Sequence, residues 1–369
     1  MIALAIALLT GSFAISAALT AIVKRLAVHT DFVCRPAPDR YQGDKQRTVP
    51  LGGGIAIGAT LLIIIVVAMA FTRFGVAPGH FGWIAERAGV NAADFLARSD
   101  ELVVILLSIV ALFTLGLWDD KKHLGPIFKL GVQFAVAIVA AAFAEIRVEL
   151  FIENTSISIV LSALWIVLII NSFNFLDNMD GASAGIAIIV SSILFVAAAF
   201  SGQVFVGGMA LVFIGTLLGF LVFNFPPAKI FMGDAGSLVV GFFVALLTLR
   251  TTYYHEAQSG PWYPIFMPLI VMAVPLYDFI SVTVLRISQG KSPFAGDTQH
   301  FSHRLKRHGL TDAQTALTLY LATLCTGLGA TFLYQVDLVG TILIFAQTIL
   351  VLSIIAVFET TAKNDKTAD

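Results

Sequence analysis

Residues 157–181 read Ile157-Ser-Ile-Val-Leu-Ser-Ala-Leu-Trp-Ile-Val-Leu-Ile-Ile-Asn-Ser-Phe-Asn-Phe-Leu-Asp-Asn-Met-Asp-Gly181. An apolar run long enough to enter a bilayer ends in five Asn and Asp side chains, and another apolar run follows at once. The same alternation recurs along the chain. A helical span needs about 20 mostly apolar residues, and eleven segments qualify: roughly 2–23, 52–72, 101–117, 127–144, 157–173, 182–200, 203–223, 237–250, 263–285, 315–334 and 338–358. The runs lack the strict apolar–polar alternation of barrel strands, so helices must satisfy the backbone in hydrocarbon. The predicted fold is an all-α integral membrane protein of about 11 transmembrane helices. A composition 58% hydrophobic and 12% charged, with mean hydropathy +0.91, excludes a soluble enzyme.

Charge placement predicts the orientation. With the N-terminus outside, the outer loops hold Arg73, Arg87, Arg98, Arg147 and Arg250, and the other 17 of the 22 Lys and Arg fall inside. The positive-inside rule thus favours an outer N-terminus and a cytoplasmic C-terminus. No basic stretch precedes residues 2–23 and Lys24-Arg25 follows them, so this run is read as a retained first span and not a signal peptide. Residues 1–358 read as one polytopic domain and 359–369 as a flexible cytoplasmic tail. A short interfacial helix is expected around Ala85–Ala97, and an outer hairpin between Glu145 and Ser156. Cys34 and Cys325 are expected to be free thiols.

In this topology five polar stretches share the inner face. Asp119-Asp120 ends the third span; adjacent carboxylates repel, and a bound cation would relieve them. Lys121, Lys122 and Lys129 lie beside them, suited to phosphate oxygens or, for Lys122, to simple anchoring. Asn171, Asn174, Asp177, Asn178 and Asp180 follow the fifth span and could hold a metal, a ribose or a sugar. Asn224-x-Pro and then Gly233-Asp-Ala-Gly-Ser237 follow the seventh; small residues at a helix start admit an anion, although Asp234 could equally be a plain N-cap. Asp278 lies inside the ninth span, where an acid is a functional candidate by default. His300, His303 and Arg304 crowd the last loop, where Arg and His suit a diphosphate better than zinc. The first loop is basic, with Lys45 and Arg47, and ends Pro50-x-x-Gly53-Gly54, whose glycines could pack helices or approach a ligand.

The motifs in this order resemble the polyprenyl-phosphate N-acetylhexosamine-1-phosphate transferases, and the resemblance runs from about Pro36 to Leu310. It implies transfer of a sugar 1-phosphate from a UDP-N-acetylhexosamine to a polyprenyl phosphate with release of UMP, using Mg²⁺ or Mn²⁺. It implies that Asp119 is the base on the lipid phosphate, with Asp120 assisting, and that Asp234 holds the metal with Asp119. A covalent role for one Asp of the pair is left open. Asn174, Asp177, Asp180 and Asn224 would bind nucleotide or order the metal shell; Lys129, Lys121, Lys45, His300, His303 and Arg304 would meet the phosphates. Two departures stand out. Ser302 replaces the middle His of the family's final loop, and the basic residues before Pro50 are irregular. The His loop looks more like the N-acetylglucosamine-type branch than the muramoyl-pentapeptide branch, which is the alternative reading. A transporter with intramembrane carboxylates is the rival of another class; acids at span ends and the lack of internal repeats weigh against it. The expected partners are UDP-sugar, polyprenyl phosphate and bilayer, with no nucleic acid and a homodimer left open. The expected location is the plasma (inner) membrane.

Overall fold

The computed structural model describes residues 1–34, 48–83, 91–148, 152–251, 263–292, 304–306 and 309–361. Every apolar segment expected to span is helical. They are α1 (Ile2–His29), α2 (Gly53–Phe71), α4 (Ser99–Lys122), α5 (Pro126–Phe143), α6 (Thr155–Leu176), α7 (Ala182–Phe200), α8 (Val204–Asn224), α9 (Asp234–Arg250), the pair α10 (Met267–Val271) and α11 (Ala273–Ser288), α12 (Asp312–Thr331) and α13 (Leu338–Thr361); α3 (Ala92–Ala97) is a short helix in the second loop. Among the described residues nine helices have the length and composition to cross a membrane, and the bent pair that ends in α11 makes a tenth. Helix α9 has only 17 residues. It is nevertheless the centre of the bundle, with every residue from Ala235 to Thr248 buried. It packs on α2, α4, α6 and α7, and Phe243 stacks on Phe213 of α8 with ring centroids 4.5 Å apart. By contrast α1, packed along α8, leaves Ile2, Ile6, Ile22 and Leu26 exposed. Apolar side chains on an outer face need no aqueous explanation when the solvent is lipid.

Three features differ from expectation. The ninth span is bent by 61° at Met272. Pro268 and Pro275 stand in the first turns of α10 and α11, where a missing N–H is tolerated but a continuous helix is not. The expected outer hairpin is absent among the described residues: Asn154 instead caps α6, its side chain accepting from the N–H groups of Ser156 and Ile157 at 3.0 and 3.2 Å. Among its described residues, helical structure in the second loop comprises a π-turn (Thr72–Val76) extending α2, a short stretch at Gly82–Trp83, and α3; residues 85–90 of the expected helix lie outside the described residues. A two-residue antiparallel ladder, β1 (Val33–Cys34) with β2 (Val49–Pro50), closes the first loop. Cys34 sits in this ladder, half-buried, and Cys325 is exposed on α12.

Candidate active site

The site is built on the N-terminus of α9. Gly233 turns the chain into the helix with φ +71, a conformation that suits glycine. The first N–H groups of a helix have no partner within it. Here Asp120 of α4 supplies them: its Oδ1 accepts from the Asp234 N–H at 2.8 Å and its Oδ2 from the Ala235 N–H at 3.1 Å. A Cβ on Gly233 would lie 2.8 Å from Asp120 Oδ2. Two more glycines bring backbones together just beneath. A Cβ on Gly116 of α4 would stand 2.4 Å from the Ala235 nitrogen, and one on Gly54 of α2 only 2.2 Å from that of Gly236. The Gly53-Gly54 pair thus packs helices. Its N–H groups donate to the carbonyls of Phe231 and Met232, fixing the first loop against the turn before α9.

Around this start the charged groups interlock. The Lys129 ammonium donates to Asp119 Oδ2 at 2.7 Å and, more closely, to Asp234 Oδ2. Asn174 Nδ2 donates to Asp234 Oδ1 and to Ser237 Oγ, both at 2.9 Å. Asp119 Oδ1 accepts from the Leu124 N–H at 2.5 Å. Chain reversal makes this possible: His123 ends α4 with φ +46, and Gly125-Pro126 starts α5, folding Lys129 back over Asp119. Of the three charged groups Asp234 is the most accessible, its side chain 27% exposed against 13% for Asp119 and 16% for Lys129.

A second tier braces the acid-rich turn after α6. Asp180 Oδ2 accepts from the Ala228 N–H at 2.8 Å. Asn224, buried, accepts from the Gly181 N–H at 3.0 Å and donates to the Ile230 carbonyl at 2.9 Å. The two residues therefore lash the turn at 177–181 to the segment between α8 and α9. Asp177 lies at the end of α6, facing Gly233. Burial pushes its carboxyl well above the ordinary range, and the nearby Asp234 and Asp120 push the same way. Tyr320 of α12, which carried no sequence signal, donates to the Gly181 carbonyl at 2.7 Å. Its ring fills a notch in α7 where a Cβ on Gly185 would lie 2.0 Å away.

Of the other expected site residues, Lys121 lies over the Phe32 ring at 5.9 Å. Arg304 donates to Ser281 Oγ on α11 at 2.8 Å. It stands at an apolar groove of about 600 Å³ whose walls include Leu276, Ile280, Val284, Phe345 and Leu352. Asp278, expected within the ninth span, is buried in α11. Lys45, His300 and His303 lie outside the described residues. The ligand atoms at the centre are carboxylate oxygens, the chemistry of a hard cation. Among the described residues no three acids or histidines come close enough to enclose a metal. Mg²⁺ does not require that; it takes one or two carboxylates and completes its shell with waters and substrate phosphates. Asp119 and Asp234, already bridged by an ammonium group, fit that demand.

Comparison with known proteins agrees with the geometry. The family described as Glycosyl transferase family 4 matches residues 102–252. A protein of Bacillus subtilis named probable undecaprenyl-phosphate N-acetylglucosaminyl 1-phosphate transferase is 30% identical over 346 residues, 92% of this chain and 87% of that one. The chain belongs to this family. Other relatives align less fully. A decaprenyl-phosphate N-acetylglucosaminephosphotransferase of Mycobacterium leprae is 30% identical over 66% of this chain and 70% of its own length. An undecaprenyl-phosphate alpha-N-acetylglucosaminyl 1-phosphate transferase of Escherichia coli is 28% identical over 77% and 71%. The family 4 match takes in Asp119, Asp120, Lys129, Asn174, Asp177, Asp180, Asn224 and Asp234, but ends before Arg304 and Tyr320.

Proposed function

We propose that this multi-pass membrane protein transfers N-acetylglucosamine 1-phosphate from UDP-N-acetylglucosamine to a polyprenyl phosphate, releasing UMP. The observation that carries the reading is the clamp in which Lys129 bridges Asp119 and Asp234 while Asn174 holds Asp234 from the other side. The clamp stands beside a surface suited to lipid: Trp118, Ile127 and Phe128 flank it and are exposed, Trp118 and Phe128 packing edge to face.

An oxygen of the lipid phosphate attacks the phosphorus that carries the sugar. The new P–O bond forms as the bond to UMP breaks, and UMP leaves with the electron pair. Both reactants are anionic, so repulsion is the main obstacle and positioning the main remedy. Asp119 receives any proton still held by the lipid phosphate; Lys129 then offers its ammonium to the phosphate oxygens. Asp120 keeps the start of α9, and with it Asp234, in register. Asn174, Asp177 and Asp180 present the amide and carboxylate edge to the nucleotide. A divalent cation held by Asp234 and Asp119 would neutralise charge on the diphosphate. The groove beside Arg304 suits the isoprenoid tail. The inner leaflet of the plasma membrane, with the N-terminus outside, is the location that the basic loops favour.

The test is transfer of labelled sugar from a panel of UDP-N-acetylhexosamines, including the muramoyl pentapeptide, to undecaprenyl phosphate by the purified protein with Mg²⁺. Lipid-linked product from UDP-N-acetylglucosamine is expected, and its abolition in Asp119→Asn and in Asp234→Asn. Product from the muramoyl donor alone, or from none, would overturn the assignment.

A further inference from the structure

Gln133 interrupts the apolar run of α5 one turn beyond Lys129, and only 1% of it is exposed. Its Oε1 accepts from Asn171 Nδ2 of α6 at 2.7 Å, and the same Nδ2 donates to the Val167 carbonyl at 2.8 Å. Asn171 lies one turn before Asn174 on α6. The two helices are therefore joined by two rungs. The upper one is Lys129–Asp234–Asn174, with one Asp234 oxygen held from α5 and the other from α6. The lower one is Gln133–Asn171. Residues three or four apart lie on the same helix face, so the rungs stand one above the other.

The lower rung is poorly explained by stability. Gln133 Nε2 is buried without a hydrogen-bond partner, and an orphaned donor in the interior is penalised more than the single bond on the other end of the amide returns. A leucine of similar size would satisfy the packing without it.

We infer that Gln133 is a positioning residue: through Asn171 it sets the spacing of α5 and α6, and so the joint grip of Lys129 and Asn174 on Asp234. The effect on turnover rests on the proposed transfer; the effect on the clamp does not. Gln133→Leu tests both. Asn171 keeps its bond to Val167; one of its two amide hydrogens loses an acceptor, but the fully orphaned Nε2 leaves with the glutamine. The melting temperature of the purified variant is expected to equal or exceed that of the parent. Acylation of Lys129 by an amine-reactive ester, followed by mass spectrometry, is expected to rise severalfold as the clamp loosens. Turnover is expected to fall by about tenfold or more, since small misplacements of reacting groups are expensive, with KM for the UDP-sugar changed by less than about twofold. Gln133→Met, equally apolar but flexible, serves if the leucine variant inserts poorly, with the same expectations. Lowered melting with Lys129 labelling and turnover at parental values marks a merely structural amide and overturns the inference, as does a variant identical to the parent in every readout. An inactive parent would refute the transferase reading alone, leaving Lys129 labelling to decide the role of Gln133.

Discussion

The two ends of α9 carry opposite kinds of electrostatics. At its C-terminus Arg250 donates to Glu101 Oε2 at 2.6 Å, while Gln203 donates to the Arg250 carbonyl at 3.1 Å. Arg98 approaches the same Glu101 at 3.7 Å. Cations there meet an acid, and a basic residue at a helix C-terminus also suits the helix dipole. At the N-terminus, Asp119, Asp120, Asp177, Asp180 and Asp234 crowd together, with Lys129 paired to two of them. One end holds the bundle together. The other carries like-charge repulsion that stability alone would not select, the usual mark of a site kept for its chemistry.

If that contrast is right, substitutions at the two ends should fail in different ways. The largest effect expected is on turnover: Asp119→Asn or Asp234→Asn lowers it by about 10³-fold or more, while both variants still fold and unfold cooperatively in detergent. Loss of folding in both would remove the distinction between the ends. Next comes Gly185→Ala, which drives a methyl into the Tyr320 ring and destabilises by about 1–3 kcal/mol through overpacking. Because Tyr320 holds the Gly181 carbonyl, turnover of the folded fraction is expected to fall as well. Tyr320→Phe, which keeps the ring, should reproduce the turnover loss without most of the destabilisation. At the opposite end, Arg250→Ala is expected to cost about 1–2 kcal/mol in a denaturation series and leave turnover per folded molecule unchanged. The smallest effect concerns Asp177. The folded protein holds this proton more tightly than the unfolded chain does. Its contribution to stability is therefore complete below the ordinary carboxylate range, and drains away as pH rises toward the raised value. Asp177→Asn should flatten that decline when melting is followed against pH in a chelator; an unchanged slope would place the strain elsewhere.

The helices were legible because hydrocarbon demands long apolar runs, and the acids because polar clusters between such runs have few structural excuses. The bend at Met272 was not, although Pro268 and Pro275 stand on either side of it, since their hydropathy alone continues the span. The interlocking of the acids was only half visible. The sequence places Asp119, Asn174 and Asp234 at helix ends, but that Lys129 of α5 closes the ring depends on the reversal at His123. Asn224 reads as a ligand-facing amide, yet both its polar atoms meet backbone. Tyr320 looks like an ordinary residue of an apolar helix, and Gln133 like a lone amide interrupting one. Their meaning lies in partners 139 and 38 residues away, a relation that no local pattern encodes.

The brevity of α9 has one more consequence. Seventeen residues rise about 25 Å, less than the roughly 30 Å of a bilayer's hydrocarbon, yet both termini carry ionic residues. A helix this short cannot bring both ionic ends to the two edges of the hydrocarbon at once, so the bilayer must thin around it or one end must be reached through a recess in the protein.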